Sequence, residues 1–168
     1  GRGIYNLGTA HLAGTIFADS PSGDNCTNFG TLTDNGYNLS DDVSCDFSGT
    51  GSANNATLAL DNLADNGGPT PTHLPGAGSD AIGAIPNGTT ISNNGTSWTC
   101  DQSATDQRGE LRPINSGDGC TAGAVEVTPI CTSWTVMTAD ELYDCITLAN
   151  GNESPSPTAD SIILGADI

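Results

Sequence analysis

Apolar residues along this chain occur in short clusters, separated by Gly, Asn, Thr, Ser and Asp. No apolar run approaches the roughly 20 residues that a membrane-spanning helix needs, so membrane insertion is not expected. A helical bundle is equally unexpected, because Gly, Asn, Thr and Ser are poor helix formers. The pattern predicts an all-β fold made of short strands joined by many turns.

Residues 5–20 and 27–42 repeat one another at an offset of 22 without gaps. The identities are Asn6/Asn28, Gly8/Gly30, Thr9/Thr31, Gly14/Gly36 and Asp19/Asp41. A period near 22 lies in the range of solenoid proteins and suits one coil of a short parallel β-helix. Gly and Asn would occupy its corners, and Asn side chains could stack as a ladder at a turn. The competing interpretation is that these identities arise by chance in a sequence rich in Gly and Asn.

The rest of the chain does not continue this repeat. Residues 48–56 and 65–78 are predicted loops, and the two Asn-Gly steps in 86–97 indicate a hairpin or turn. Short strands are predicted at Thr57–Leu60 and at 123–127.

The C-terminal segment predicts a strand, a helix and a second strand. Residues 134–137 alternate as a strand does, and a capping box at 138–141 precedes apolar residues at helical spacing. Gly151 is a suitable C-terminal stop for this one short α-helix, and a strand is predicted at 161–164.

The charge balance excludes several partners. The chain has three Lys and Arg residues against 20 Asp and Glu residues, a formal net charge of −17. A nucleic-acid interface needs many basic residues, and an anionic membrane surface would repel this chain.

Six cysteines indicate an oxidising compartment and a disulfide-stapled protein that is secreted or displayed at a cell surface. They form three local pairs, Cys26/Cys45, Cys100/Cys120 and Cys131/Cys145. Fifteen connectivities are possible, and nearest-neighbour pairing suits a fold built from local units. The two His residues are not spaced as zinc ligands, so a metal cluster is not expected.

Four motifs in the middle of the chain carry a resemblance. They are DNGGPTPTH at 65–73, TDQRG at 105–109, Arg112-Pro113 and CTAGAVE at 120–126, and the segment GYNLSDDVSC at 36–45 adds to them. In this order they resemble choice-of-anchor Q or CSLREA-domain bacterial surface proteins. The segment at 73–85 departs from that family, with Asp80 in place of a Pro and Gly83 in place of an Asp.

The resemblance implies a right-handed parallel β-helix with irregular disulfide-stapled loops. Residues 1–127 would be the end of the solenoid and its irregular cap. Residues 128–168 resemble the start of such a solenoid, packing on the same or the next subunit.

This inverted order implies two exposed coil edges, which act as pairing templates. The expected function is therefore an extracellular structural or adhesive subunit that binds copies of itself head to tail in a filament. One unit of a longer tandem-repeat surface protein is the alternative arrangement. The expected junction residues are Arg2, Ile4, Tyr5, Ile162, Ile163, Leu164 and Ile168.

A carbohydrate-binding or carbohydrate-active module, with surface glycans as partners, is the second hypothesis. The candidate carboxylates are Asp41, Asp42, Asp46, Asp101, Asp106 and Glu110, but no spacing selects the pair that glycoside hydrolysis requires. The expectation is no enzyme activity. Trp98 and Trp134 could stack on sugars, although core or interface packing is the commoner role. His73 is predicted to be a hydrogen-bonded turn residue.

The remaining polar residues are given structural or surface roles. Arg108 and Arg112 are expected to pair with Asp106 and Glu126 and to lock the cap. No cofactor is expected; weak Ca²⁺ binding by the Asp-rich turns is considered, with solvated acids as the favoured interpretation and no metal site assigned. Six sequons are candidate glycosylation sites on surface loops: Asn25, Asn38, Asn55, Asn87, Asn94 and Asn152.

Overall fold

The computed structural model describes residues 3–21 and 23–127, together with the backbone of two short strands nearer the C-terminus. The chain divides into two compact units, Gly1–Thr128 and Pro129–Ile168. The first unit contains ten strands, and the described residues contain no helix, so the all-β fold class is confirmed for this part of the chain. None of the described residues belongs to a helix long and apolar enough to cross a membrane.

The first unit begins with two successive passes of three short strands each. The first pass comprises β1 (Ile4–Asn6), β2 (Thr9–Leu12) and β3 (Ile16–Phe17). The second pass comprises β4 (Cys26–Asn28), β5 (Thr31–Asp34) and β6 (Leu39–Ser40). Each strand of the first pass pairs in parallel with its counterpart in the second.

The register of these pairs is the repeat found in the sequence. Ile4 lies opposite Cys26 and Thr9 opposite Thr31, both 22 residues apart. Ile16 lies opposite Leu39, 23 residues apart, because the second pass holds one more residue before β6. Glycine is required at position 30, where the backbones of the two passes approach each other closely, since a Cβ there would lie 2.1 Å from the carbonyl oxygen of Gly8.

Residues 42–127, called the cap below, are mostly irregular. Strands β7 (Thr90–Asn93) and β8 (Thr96–Thr99) form an antiparallel hairpin around Asn94 and Gly95, which both have positive φ as a type I′ turn requires. Strands β9 (Ala104–Thr105) and β10 (Leu111–Arg112) also pair antiparallel. The hairpin predicted within 86–97 is therefore present.

Two strands predicted for the cap are wrong. Within 57–60, only Leu60 forms a bridge, to Pro75. Residues 123–127 form no strand, because their backbone bonds go to separate partners: Gly123 N–H donates to Gly14, whereas the Ala124 carbonyl accepts from Gln107.

Two apolar clusters hold the first unit together, and each contains a disulfide. One joins Phe17 of β3 to Phe47 of the cap around the Cys26–Cys45 bond, with Ile4 and Leu12 packed against it. The other surrounds the Cys100–Cys120 bond. It joins the outer faces of β3 and β6 to the cap, with Leu39 and Ile85 fully buried. The cap thus packs beside the second-pass strands through apolar side chains.

The second unit is described only at two strands. Strands β11 (Thr135–Val136) and β12 (Ile163–Leu164) pair in parallel, with Thr135 opposite Ile163. They fall within the strands predicted at 134–137 and 161–164. The predicted helix between them lies outside the described residues.

Candidate functional site

The outer edge of the first pass is the most distinctive surface of the described chain. Ile4 N–H donates to Asn25, and the carbonyls of Asn6 and Gly8 accept from Phe29 and Thr31 at 2.9 and 2.7 Å. In a parallel ladder alternate residues direct their polar groups to the same side. The backbone groups of Tyr5 and Leu7 therefore point away from the second pass.

Within residues 3–21 and 23–127, no strand pairs with this outer edge. One contact reaches it from the cap, where Asn93 Nδ2 donates to the His11 carbonyl at 3.3 Å. Elsewhere along β1 and β2 no strand among residues 3–21 and 23–127 covers the edge, and an edge left open in this way is the kind of template that strand addition uses.

An asparagine ladder runs between the passes beside this edge. Asn6 Nδ2 donates to Asn28 Oδ1 at 2.8 Å and to the Thr31 carbonyl at 3.0 Å. Each Asn also closes its own turn: Asn6 Oδ1 accepts from Gly8 N–H at 3.0 Å, and Asn28 Oδ1 accepts from Gly30 N–H at 3.2 Å. The ladder expected from the repeat is present.

Apolar side chains accompany the open edge. Tyr5, Leu7 and Phe29 are 59%, 70% and 71% exposed, and the rings of Tyr5 and Phe29 meet edge to face with centroids 5.8 Å apart. Inside the pass, Ile4 and Leu12 are only half-buried although they pack against the first apolar cluster. The edge therefore presents both unpaired backbone and incompletely buried apolar surface.

The residues expected to lock the cap do meet in the structure. Arg112 donates to the carbonyls of Thr121 and Gly123 at 2.7 and 2.6 Å, and its Nη1 lies 3.3 Å from Glu126 Oε2. The guanidinium also lies 5.6 Å from the centre of the Trp98 ring, within cation–π range. Trp98 is thus committed to an internal contact rather than to a sugar-stacking surface.

Asp106 forms the second half of this cluster. Its carboxylate accepts from the backbone N–H groups of Arg108 and Glu126 at 2.7 and 2.8 Å, and from Arg108 Nε at 2.8 Å. Burial opposes its ionisation, but these donors outweigh burial, and the pKa of Asp106 lies below its usual value.

Glu126 is perturbed in the opposite direction. Its side chain is 1% exposed, and burial raises its pKa to about 7, although Thr121 N–H and the nearby Arg112 favour the charged form. The four residues predicted to form ion pairs therefore form a buried cluster that fixes residues 121–126. The donors and acceptors of this cluster are largely hydrogen-bonded to other groups of the protein, which suits a structural role.

The Asp-rich turns are also occupied by internal bonds. Asp42 accepts from the backbone N–H groups of Asn25 and Ser44 at 2.8 and 2.9 Å, and Asp41 accepts from Asp19 N–H at 2.8 Å. Asp46, Asp101 and Glu110 are exposed. No group of three His, Cys, Asp or Glu side chains that could hold a metal ion occurs in the described part of the chain.

Asp34 is a turn residue that the sequence did not single out. It accepts from the backbone N–H groups of Gly36, Ser48 and Gly49 and from the side chains of Asn38 and Ser52, at 2.6–2.9 Å. Burial opposes its charge, but these donors hold the pKa of Asp34 below its usual value. Its sequence signal was the Asp-x-Gly step at 34–36, a common turn motif.

A cleft with a volume of about 670 Å³ lies between β3 and the cap. Ile16, Leu60, Leu63 and Pro75 give it an apolar lining, and His73 and Asp19 add polar groups. His73 Nδ1 contacts the Asp61 carbonyl at 2.7 Å, which is the turn contact expected of it. The candidate carboxylates of the sequence analysis do not line this cleft.

Two of the predicted glycosylation sites need correction. Asn25 and Asn38 are 1% and 0% exposed, and their Nδ2 groups donate inside the fold, to the carbonyls of Phe17 and Leu12 respectively. A glycan has no room there. Asn55, Asn87 and Asn94 lie on the surface.

Several predicted residues lie outside the described part of the chain. These are Arg2, Cys131, Trp134, Cys145, Asn152, Ile162 and Ile168, and of Ile163 and Leu164 only the backbone is described. Ile4 and Tyr5 of the predicted junction lie in β1 at the open edge.

Comparisons with protein-family models, with curated proteins and with solved structures find no match to this chain.

Proposed function

We propose that this chain is an extracellular structural protein whose two passes are coils of a parallel β-solenoid. Its function is to extend that solenoid by adding a further coil at the outer edge of the first pass. The observation that carries this proposal is the outer edge of β1 and β2, with which no strand of the described residues pairs.

Three features of the described residues support this role. The passes already pair in parallel at a spacing of 22 residues, so a further coil continues an existing geometry. The half-buried Ile4 and Leu12 gain burial when a coil covers them. The two disulfides staple the second pass and the cap, as suits an oxidising extracellular environment.

The source of the added coil defines two forms of the proposal. In a head-to-tail filament it comes from a second copy, and the parallel pairing of β11 with β12 supports a second coil-like segment in this chain. In a tandem array it comes from the same, longer polypeptide. The resemblance to choice-of-anchor Q surface proteins is compatible with both forms.

The exposed aromatic pair also bears on the carbohydrate-binding alternative. The planes of the Tyr5 and Phe29 rings are inclined by 62°, so the rings do not form one flat platform for a sugar face. A ridged apolar surface beside an open strand edge suits packing against protein better.

Light scattering after size exclusion, over a range of concentrations, tests the proposal with the oxidised chain. The variant Tyr5→Asp places a charge at the open edge, and Val43→Asp is its matched control because Val43 is similarly exposed, at 65%, in the cap. We expect self-association that Tyr5→Asp weakens by about tenfold or more while Val43→Asp leaves it unchanged.

Negative-stain electron microscopy of the same samples separates the two forms. Filaments that Tyr5→Asp abolishes support association between copies. A chain that stays monomeric at every concentration rejects the filament and leaves the tandem array, which the added-coil experiment below then tests.

A further inference from the structure

The asparagine ladder ends at Asn6 with one acceptor position unfilled. Asn28 Oδ1 accepts two donors, Gly30 N–H from its own turn and Asn6 Nδ2 from the preceding pass. Asn6 Oδ1 accepts Gly8 N–H, and no second donor reaches it from the described residues. An amide oxygen has two lone pairs, so Asn6 can accept one further bond.

The same comparison identifies a second unfilled acceptor. Asn6 Nδ2 also donates to the carbonyl of Thr31, three residues after Asn28. The equivalent carbonyl one pass earlier is that of Thr9, which lies on the outer edge and has no such donor among the described residues. Asn6 is only 7% exposed, so the first acceptor is nearly enclosed, whereas Thr9 is an exposed residue beside the edge.

We propose that the open edge selects a coil carrying asparagine in register over Asn6. The incoming Nδ2 donates to Asn6 Oδ1 and to the Thr9 carbonyl, reproducing the two bonds that Asn6 itself makes. Gly8 already leaves room for such a coil, because Gly30, which faces its own preceding pass in the same way, has no space for a Cβ, whereas a Cβ at Gly8 would meet nothing while the edge is uncovered. This inference rests on the proposed function and specifies the chemistry of the partner segment.

The β12 segment of this chain does not meet that requirement. Aligning Leu164-Gly165 with Leu7-Gly8 places Ile163 at the position of Asn6. An isoleucine there would cover both acceptors without donating to either, and burying an unsatisfied polar group is unfavourable. The ladder therefore favours a coil with asparagine at this position, as this chain has at Asn6 and again at Asn28.

An added-coil experiment tests this inference directly. Residues 3–24 are copied and inserted between Arg2 and Gly3, so that the copied asparagine lies 22 residues before Asn6. One variant carries Asn6→Val in the copy only. The matched control carries Thr9→Val in the copy only, which removes a polar group at a position that is exposed in the chain.

Two measurements read the result. Amide hydrogen exchange at Tyr5 and Leu7 of the original pass reports whether the outer edge has been paired, and exchange at Asn6 N–H, which faces the second pass, reports whether the passes are intact. We expect the unchanged copy to slow exchange at Tyr5 and Leu7 by about tenfold or more. We expect Asn6→Val in the copy to lower the melting temperature by about 3 °C relative to the copy, and Thr9→Val to leave it unchanged.

The possible failures are distinguishable. Equal protection and equal melting temperature for the copy and its Asn6→Val variant would show that a coil adds to the edge without the asparagine hydrogen bonds. That result overturns the inference and leaves the proposed function standing. No protection by any copy overturns both. A synthetic peptide of residues 161–168 is the comparison occupant, and protection of Tyr5 by that peptide as strong as by the copy also overturns the inference.

Discussion

The buried carboxyl of Glu126 should make the stability of this protein fall as the pH rises through neutrality. Its pKa is about 7 in the folded protein and about 4.5 when unfolded. The folded state therefore holds this proton more tightly than the unfolded state between those values. For a raised pKa the associated stability is fully present below pH 4.5 and is lost as the pH rises through 7.

The size of the effect follows from the shift. Each pKa unit corresponds to 1.36 kcal/mol, and a discount for screening by solvent leaves a total of about 2–3 kcal/mol. That is a substantial fraction of the about 5–15 kcal/mol by which a domain of this size is stable. Loss of stability with rising pH also comes from self-repulsion in a chain of net charge −17, so a matched variant is needed to isolate Glu126.

Urea unfolding of the oxidised protein at pH 4.5, 5.5, 6.5 and 7.5 provides the measurement. Glu126→Gln removes the titrating group. The unfolding free energy of this variant should therefore fall by about 2–3 kcal/mol less than that of the wild type between the lowest and the highest pH. Glu110→Gln is the control, because it removes one carboxyl from an exposed position of the same cap and should parallel the wild type. Parallel curves for Glu126→Gln and the wild type would refute the assignment of a raised pKa to this buried group.

Three further predictions concern two other polar contacts of the first unit and its glycosylation sites. Arg112→Lys cannot reach the Thr121 and Gly123 carbonyls together, and should lower the free energy of unfolding by about 2–4 kcal/mol in urea melts at pH 7. Asp34→Asn loses the charge that five donors stabilise, and should cost about 1–3 kcal/mol at pH 7; the cost should shrink as the pH falls below 3.8 and through the lowered pKa of the folded state, because the wild type then loses the same contribution on protonation. Peptide mapping by mass spectrometry after expression in a glycosylating host should find no glycan at the two buried sequons and should confine any occupancy within residues 3–127 to the exposed ones, Asn55, Asn87 and Asn94.

The sequence predicted the two passes well because their structure is repetitive and local. Asn6 and Asn28, each followed by Gly two residues later, mark the same turn twice, and the offset between them became the strand register. A repeat carries its own alignment, so no knowledge of long-range contacts is needed to find it. The hairpin at Asn94-Gly95 was predictable for a similar reason, since turn chemistry is set by adjacent residues.

The cap was less predictable because its contacts are long-range. The residues 123–127 have a strand-like composition, but Gly123 and Ala124 bond to distant segments instead of to a neighbouring strand. The sequons at Asn25 and Asn38 illustrate the same limit. The three-residue motif says nothing about burial. Both amide groups donate hydrogen bonds to backbone carbonyls of the first pass, at Phe17 and Leu12, and are therefore buried. Local motifs specify conformation, whereas exposure is decided by packing.

The polar ladder also has a physical reason for being where it is. The strands of each pass are two to four residues long and rich in small polar residues, so apolar side chains alone specify their register weakly. A slip of one residue would separate Asn6 from the exposed Asn28 and leave the buried Asn6 amide without its bond, at a cost of about 1–3 kcal/mol for the unsatisfied group. The ladder therefore sets register between passes where hydrophobic packing cannot. Under the proposed function the same property would make the position above Asn6 selective, because an added coil would satisfy the Asn6 amide only if it brought its own asparagine.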